Sequence, residues 1–273
     1  MSNWDDIKNL GVEEGLPPHI VAAEPMQIAF LDGFYGEKDA LNIVFHGGTS
    51  IRLLHGGYRY SEDLDFCIRP DLDASTLDAL VKKAYGRARD LIFLYLGNCE
   101  TELKKKEGRK KIATWWFNIL PPGERRKYRV KIEFGTYPTY SKLPVPLIIK
   151  NKFMPRHPVV ISTDPKELLA DKLNAISDRP YTKERDFFDV WYLVKVLNSP
   201  LDVGLFRKKL TDYNAKDPKI ILKKRLHELN GRALAENMAN FLPLQYRTML
   251  SQNNYQDVVD CCRDIMKKVL EKL

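Results

Sequence analysis

The sequence of 273 residues has few cysteines and no long apolar run. Its four cysteines have no metal-type spacing, and the adjacent pair Cys261 and Cys262 is typical of a helix in a reducing compartment. The longest apolar run, residues 91–96, is far shorter than the roughly 20 residues that span a membrane. The start, MSNWDDIKNL, is polar and acidic, unlike a secretory signal. We therefore expect a soluble cytoplasmic protein without membrane contact.

Internal repeats and low-complexity linkers are also absent from the sequence, yet its two halves differ in pattern. Strand-like and helix-like segments are mixed up to about residue 160, whereas helical periodicity dominates afterwards. Asp164, followed by a proline and by Glu167, is typical of a helix N-terminus. The sequence predicts an α/β (α+β) domain over residues 1–158 and a helical domain over residues 159–273.

Positive charge is concentrated in residues 101–131. This window contains eleven Lys or Arg residues and three Glu residues, which accounts for the whole net charge of +8. Within it, the turn-rich segment PPGERRK connects two strand-like segments, residues 112–120 and 128–134. A cationic patch on a neutral body favours a polyanionic partner. The candidate contacts to such a partner are Arg125, Arg126, Lys127 and Arg129.

Aromatic residues accompany the basic window. Trp115, Trp116 and Tyr128 either stack on unpaired bases or form the core of a strand–turn–strand unit. An arrangement with Trp115 or Trp116 in the core is favoured over one in which both tryptophans contact a nucleic acid.

The segment FHGGTSIRLLHGGYRYSEDLDF, residues 45–66, is the most informative part of the sequence. Residues two apart on a strand share one face at about 7 Å, so Asp63 and Asp65 are expected to lie side by side. Neighbouring carboxylates repel each other unless a cation lies between them, and such hard oxygen donors suit Mg²⁺ or Mn²⁺. For this pair alone, a solvated strand face is the simpler interpretation.

A pair of glycines precedes that strand. Gly47 and Gly48 allow a tight turn and a close approach of the backbone to a ligand. The N–H groups of Thr49 and Ser50, at the start of the following helix, can then meet phosphate oxygens. Together with Ser61 and the two aspartates, this turn favours a nucleotide site over an ordinary turn.

Two further charged residues are candidates. Residues 130–134 alternate, which places Lys131 and Glu133 on the face opposite the apolar side chains. Glu133 either approaches the aspartates as a base or third ligand, or makes a surface pair across strands. Lys172 lies in an apolar helical stripe, where its ammonium either extends to solvent or is held by an anion.

GGTSIRL followed by RYSEDLDF resembles the AbiEii/MenT nucleotidyltransferase toxins, which belong to the polymerase-β-like superfamily. Residues 166–193, KELLADKLNAISDRPYTKERDFFDVWYL, are similar to the later motifs of that family, a helix with K-L-x-A and then R-D-x-x-D. The resemblance covers roughly residues 40–195. It implies a nucleotidyltransferase core with a mixed sheet, followed by a helical domain that contributes active-site residues.

The same resemblance implies an activity and its partners. A nucleotidyl group would pass from an NTP to RNA by a two-metal mechanism with Mg²⁺ or Mn²⁺. In characterised relatives the acceptor is the 3′ end of tRNA, and the modification blocks translation. A separately encoded antitoxin of the AbiEi/MenA kind is the expected protein partner. By position, the metal ligands would be Asp63 and Asp65, the triphosphate residues Gly48, Thr49 and Ser61, and the later-motif residues Lys172 and Asp186. Either Asp186 or Glu133 would orient or deprotonate the acceptor hydroxyl.

Three alternatives to nucleotidyl transfer to RNA remain at this level. Transfer to a small molecule is disfavoured by the basic window, which a small acceptor does not need. Transfer to a protein hydroxyl is the second alternative. A catalytically silent module that binds RNA or a partner is the third, and the presence of both Asp63 and Asp65 weighs against it.

Overall fold

The computed structural model describes residues 3–106, 112–149 and 151–273. Arg109, Lys110 and Lys111 of the predicted basic window lie outside the described residues. The chain divides into two compact units, Met1–Thr163 and Asp164–Leu273. The domain boundary expected after residue 158 precedes the strand Val159–Ser162, which pairs with another strand of the first unit.

In the described part of the first unit, helices and strands are mixed along the chain. In order they are α1 (Asn3–Glu14), α2 (Pro18–Tyr35), β1 (Val44–His46), α3 (Gly47–His55), β2 (Asp63–Cys67), α4 (Ala74–Leu96), β3 (Glu100–Lys106), β4 (Ile112–Leu120), β5 (Tyr128–Gly135), β6 (Leu143–Pro146) and β7 (Val159–Ser162). The strands form one sheet in the order β3-β4-β5-β2-β1-β7-β6. Since β2 is antiparallel to β1 and parallel to β5, the predicted mixed sheet is confirmed.

Apolar side chains that alternate along the central strands form the core of this unit. Leu64 and Phe66 of β2 and Ile132 and Phe134 of β5 are fully buried. The rings of Phe66 and Phe134 stack with their centroids 4.7 Å apart. The ring centroid of Phe34 of α2 lies 5.0 Å from that of Phe66. Because the side-chain period of a strand is two, the charged residues between these positions all project from the other face of the sheet.

The second unit is helical, as predicted. Its described α-helices are α5 (Pro165–Asp178), α6 (Glu184–Trp191), α7 (Val203–Asp212), α8 (Pro218–Glu228), α9 (Gly231–Met238), α10 (Leu244–Ser251) and α11 (Gln256–Lys272), and a π-helical segment, Tyr192–Val196, follows α6. The Asp164 carboxylate accepts a hydrogen bond of 2.7 Å from the Glu167 N–H, so the expected N-cap of α5 is present. Cys261 and Cys262 are buried on α11. None of the helices in the described ranges of either unit is long and apolar enough to cross a membrane.

A buried lysine joins two helices of the second unit. Lys209 of α7 is 1% exposed, and its ammonium lies 2.7 Å from Glu167 and 2.9 Å from Asp171, both on α5. Burial alone would lower the pKa of Lys209, but the two carboxylates outweigh burial and raise it. The charged form therefore belongs to the folded state and fixes α7 against α5.

Candidate functional site

Four charged side chains lie together on the polar face of β2 and β5. Asp63 pairs in register with Lys131, and Asp65 pairs with Glu133. The Lys131 ammonium lies 3.3 Å from an Asp63 oxygen and 2.8 Å from a Glu133 oxygen. The structure therefore brings the two aspartates and Glu133 to one face, with a lysine among them.

The charges of this cluster influence one another. Burial raises the pKa of Asp63, the nearby Asp65 raises it further, and Lys131 opposes both effects. Burial acts to lower the pKa of Lys131, but Glu133 and Asp63 outweigh it and raise the value. Three carboxylates with one lysine leave an excess of negative charge, so the cluster attracts a further cation.

Asp63 and Asp65 fit a hard divalent ion, because both carboxylates project from one face of β2 and are only partly buried. Glu133 is engaged by Lys131 and, at 3.5 Å, by the Thr114 hydroxyl. Within residues 3–106, 112–149 and 151–273, no three His, Cys, Asp or Glu side chains are arranged to hold a metal ion. The remaining donors would come from water and substrate, as is usual for Mg²⁺.

The glycine turn lies directly beside these carboxylates. His46 pairs with Asp65 across β1 and β2, and Gly47 follows with a φ of +84°. A Cβ at Gly47 would lie 2.5 Å from an Asp65 carboxylate oxygen. Both the backbone conformation and the close approach of Asp65 therefore require glycine here.

The side chains at the start of α3 are used within the fold. Thr49 and Ser50 are fully buried. The Thr49 hydroxyl donates to the Asp63 carbonyl, and the Ser50 hydroxyl donates to the Gly47 carbonyl at 2.8 Å. An anion at the start of α3 would therefore bind the backbone N–H groups of the first turn, which lack partners within the helix.

Arg59 is a cation at this turn that sequence reasoning did not single out. It is only 5% exposed, and its guanidinium packs against Gly48 in the space that a Cβ would enter. The Ser61 hydroxyl lies 3.2 Å from the same position, and the Gln27 side chain donates to the Ser61 carbonyl at 2.8 Å. In the sequence it is the first residue of the RYSEDLDF segment, and nothing in its spacing indicates a role.

A cleft of about 820 Å³ extends from the carboxylates across β5 and β4. Its charged lining has five cations, Lys131 and the four predicted nucleic-acid contacts Arg125, Arg126, Lys127 and Arg129, against three carboxylates, Glu62, Asp63 and Glu124. In the described part of the chain, neither Arg125 nor Arg126 forms an ion pair. The basic turn is therefore continuous with the carboxylate face through one cleft.

The later-motif residues form an ion network inside the second unit. Lys172 of α5 lies 3.1 Å from Asp186 and 2.7 Å from Asp189, both on α6. The Lys172 side chain is 12% exposed, and the aspartates are 5% and 1% exposed. The Lys172 ammonium therefore does not extend to solvent but pairs with two carboxylates of the chain itself. Arg179 pairs with the other oxygen of Asp186, so both oxygens of that carboxylate are engaged.

Comparison with solved structures supports the fold. The chain is similar to JHP933 from Helicobacter pylori, with 17% identity, a TM-score of 0.54 and coverage of 94% of this chain and 96% of that chain. A candidate nucleotidyltransferase from H. pylori has the same identity and TM-score over 94% of this chain and 99% of its own. At this identity the likeness concerns the fold alone. A comparison with curated proteins finds no match.

A family model provides the stronger comparison. It matches residues 29–260, a range that contains the glycine turn, β2, the basic cleft and the Lys172 network. Its description is nucleotidyl transferase AbiEii toxin, of type IV toxin–antitoxin systems. The chain therefore belongs to the AbiEii family of nucleotidyltransferase toxins.

Proposed function

We propose that this toxin transfers a nucleoside monophosphate from an NTP to RNA, with the 3′ end of cytoplasmic tRNA as the acceptor. The order of the sheet carries the proposal. The strand with Asp63 and Asp65 lies between β1, which leads into the glycine turn, and β5, which borders the basic cleft. Donor phosphates and acceptor RNA would then meet at the carboxylates from opposite sides.

On the donor side, the proposal assigns phosphate binding to the backbone N–H groups at the start of α3 and to the buried Arg59 guanidinium. Backbone N–H groups at a helix start attract anions, and arginine pairs well with phosphate oxygens. The family pattern adds Lys172 as a ligand of the leaving phosphates. Asp186 and Asp189, which contact Lys172 at 3.1 and 2.7 Å, would keep its ammonium charged and oriented.

Asp63 and Asp65 would hold the divalent cation that the family implies. Mg²⁺ or Mn²⁺ bound there would neutralise charge on the phosphate that is transferred. The mechanism that the resemblance implies uses two such ions. The raised pKa of Asp63 supports this role, because a carboxylate among other carboxylates is stabilised when a cation binds.

On the acceptor side, Glu133 is the better candidate for orienting the hydroxyl. It lies on β5, the strand next to the cleft, beside Asp65. Asp186 is paired with two cations, Lys172 and Arg179, whereas Glu133 is paired with one, Lys131. The acceptor oxygen would bond to the α-phosphorus while the bond to the bridging oxygen breaks, so that pyrophosphate leaves and Glu133 receives the hydroxyl proton.

The cleft also favours RNA over a small acceptor. Arg125, Arg126 and Lys127 of the turn between β4 and β5 line it, together with Arg129 and Lys131 of β5. Such a row suits a chain of phosphates, whereas a small molecule needs fewer cations. By this proposal, capping the tRNA 3′ end blocks aminoacylation, so translation stops until the antitoxin partner neutralises the toxin.

The test incubates the protein with each α-phosphate-labelled NTP, Mg²⁺ and total RNA. Wild-type protein should label tRNA, and Asp65→Asn should reduce the rate at least ~100-fold. Asp71→Asn removes an exposed carboxylate that pairs with Arg69, so it is the matched control and should keep full activity. Label in protein or in a small molecule instead of RNA, or full activity of Asp65→Asn, would show that the proposal is wrong.

A further inference from the structure

The two adjacent tryptophans of β4 have different environments. Trp115 is 2% exposed and packs edge-on against Phe134 with ring centroids 5.5 Å apart. Trp116 points to the other face of the sheet, is partly exposed and lines the basic cleft. Core packing therefore explains Trp115 but leaves Trp116 without an equivalent structural role.

A guanidinium plane lies over Trp116. The Arg129 guanidinium carbon is 4.5 Å from the centroid of the Trp116 ring, and the Lys106 ammonium lies 5.6 Å from the same centroid. Arg129 donates through Nε to the Asn118 side-chain oxygen at 2.7 Å, and Asn118, which is 2% exposed, donates to Glu102 at 3.2 Å. A buried amide thus fixes the guanidinium before any ligand arrives, which lowers the entropy cost of binding.

The position of this stack relates it to the acceptor. Trp116 pairs in register with Lys131 of β5, and the Lys131 ammonium lies 3.3 Å from Asp63. Among the described residues that line the cleft, none belongs to β1 or α3. The stack is therefore on the opposite side of the carboxylates from the glycine turn. By the proposed function, the NTP phosphates would lie at the glycine turn.

The size of the cleft limits how much of an RNA it can hold. Its volume of about 820 Å³ is similar to that of small-ligand pockets, ~300–1,000 Å³, which is room for a few unpaired nucleotides. Aromatic or guanidinium planes in a positively charged groove are the usual features of single-strand binding sites.

We propose that the Trp116–Arg129 stack is the platform on which an unpaired base of the acceptor RNA rests, next to the nucleotide that receives the transferred group. The proposal rests on the proposed function and adds the residues that recognise the acceptor. Because every base has a flat face, the platform holds an unpaired end with little regard to sequence.

Binding of short RNAs to the full-length protein without NTP tests the platform. The probes are a single strand, the same strand with its last three bases removed to leave abasic sites, and a blunt duplex. Trp116→Ala should weaken binding of the single strand roughly 5- to 150-fold. Trp116→Phe keeps a ring and should retain most of the affinity. Phe93→Ala, which removes a partly exposed ring on α4, is the control and should change nothing.

The abasic strand and the NTP separate stacking from other effects. Trp116→Ala should bind the abasic strand as wild type does, and its affinity for NTP should be unchanged. The platform would be overturned if Trp116→Ala lost equal affinity for the intact and the abasic strand, or lost affinity for NTP alone. It would also be overturned if the wild-type protein did not bind RNA. Intact stacking without label transfer to RNA would contradict only the proposed function. Transfer to RNA with an unchanged KM in Trp116→Ala would contradict only the platform.

Discussion

Lys131 lies opposite Asp63 in the parallel register of β5 and β2, with its ammonium 3.3 Å from the Asp63 carboxylate and 2.8 Å from that of Glu133. This ammonium is a positive charge that the chain itself supplies to its acidic cluster. A divalent ion bound by Asp63 and Asp65 would share the Asp63 carboxylate with it. The lysine therefore stabilises the cluster and would compete with such an ion.

Replacing Lys131 separates these two effects. In Lys131→Met, repulsion among the carboxylates is no longer offset, so stability without divalent ions should fall by roughly 1 kcal/mol, or about 2–4 °C in Tm. Adding Mg²⁺ should then raise the Tm more in the variant than in wild type. Lys127→Met, which removes an exposed lysine paired with Glu102, is the control. Equal Mg²⁺-induced shifts in Lys131→Met and wild type would contradict competition at Asp63.

Gly47→Ala should impair transfer through the position of Asp65. The new Cβ would lie 2.5 Å from the Asp65 carboxylate at a residue whose φ is +84°, so the carboxylate and the turn must both move. A shift of about 1 Å at a reacting centre costs roughly 100-fold in rate, which label transfer to RNA would measure. Gly86→Ala is the control, because a Cβ there meets nothing within 4 Å. Wild-type activity in Gly47→Ala would remove the glycine turn from the site.

Neutralising the basic turn should weaken RNA binding without affecting NTP binding. In the Arg125→Ala, Arg126→Ala, Lys127→Ala triple variant, the salt dependence should also flatten, by about 0.7 in log–log slope for each lost phosphate contact. Filter binding at several salt concentrations measures both quantities. A control of equal charge replaces the exposed Lys38, Lys82 and Lys219 by alanine. A similar loss in both triple variants would mean that overall charge, rather than the cleft, binds RNA.

The second unit should depend on Lys209 for its stability. Lys209→Met leaves Glu167 and Asp171 without their buried cation, and breaking such a network costs about 3–5 kcal/mol, measurable by chemical denaturation. Lys219→Met on the surface of α8 should be nearly neutral. Because folding raises the pKa of Lys209, its contribution is complete below the ordinary lysine value of 10.5 and is lost as the pH rises through the folded value. The difference between variant and wild type should therefore shrink at strongly alkaline pH, and a constant difference would contradict the assignment.

Local periodicity predicted a large part of the carboxylate face. A period of two along β2 and β5 was enough to place Asp63, Asp65 and Glu133 on polar faces, and the structure pairs Asp65 with Glu133. The cap of α5 at Asp164 also followed from local sequence. These features depend on neighbours a few residues apart, and a sequence displays such neighbours directly.

Features that depend on pairing between distant segments could not be predicted. The Lys131–Asp63 contact requires β5 to lie parallel to β2 in one particular register. Helix α2 was missed because most of its circumference is buried, so it has no polar stripe to mark a helical period. Strand β3 was missed for the opposite reason, since it lies at the sheet edge and carries mostly charged, exposed side chains. Arg59 was missed because its importance comes from contact with Gly48 rather than from spacing.

The place of β2 between β1 and β5 has an evolutionary consequence. The segments on the two sides of the carboxylates are separate in sequence, since the glycine turn lies within residues 44–55 and the cleft-lining turn between β4 and β5. Substitutions in the connection between β4 and β5 need not disturb the turn that follows β1. By the proposed function, a toxin of this architecture would acquire a new target through substitutions in one exposed connection while its nucleotide chemistry is inherited unchanged.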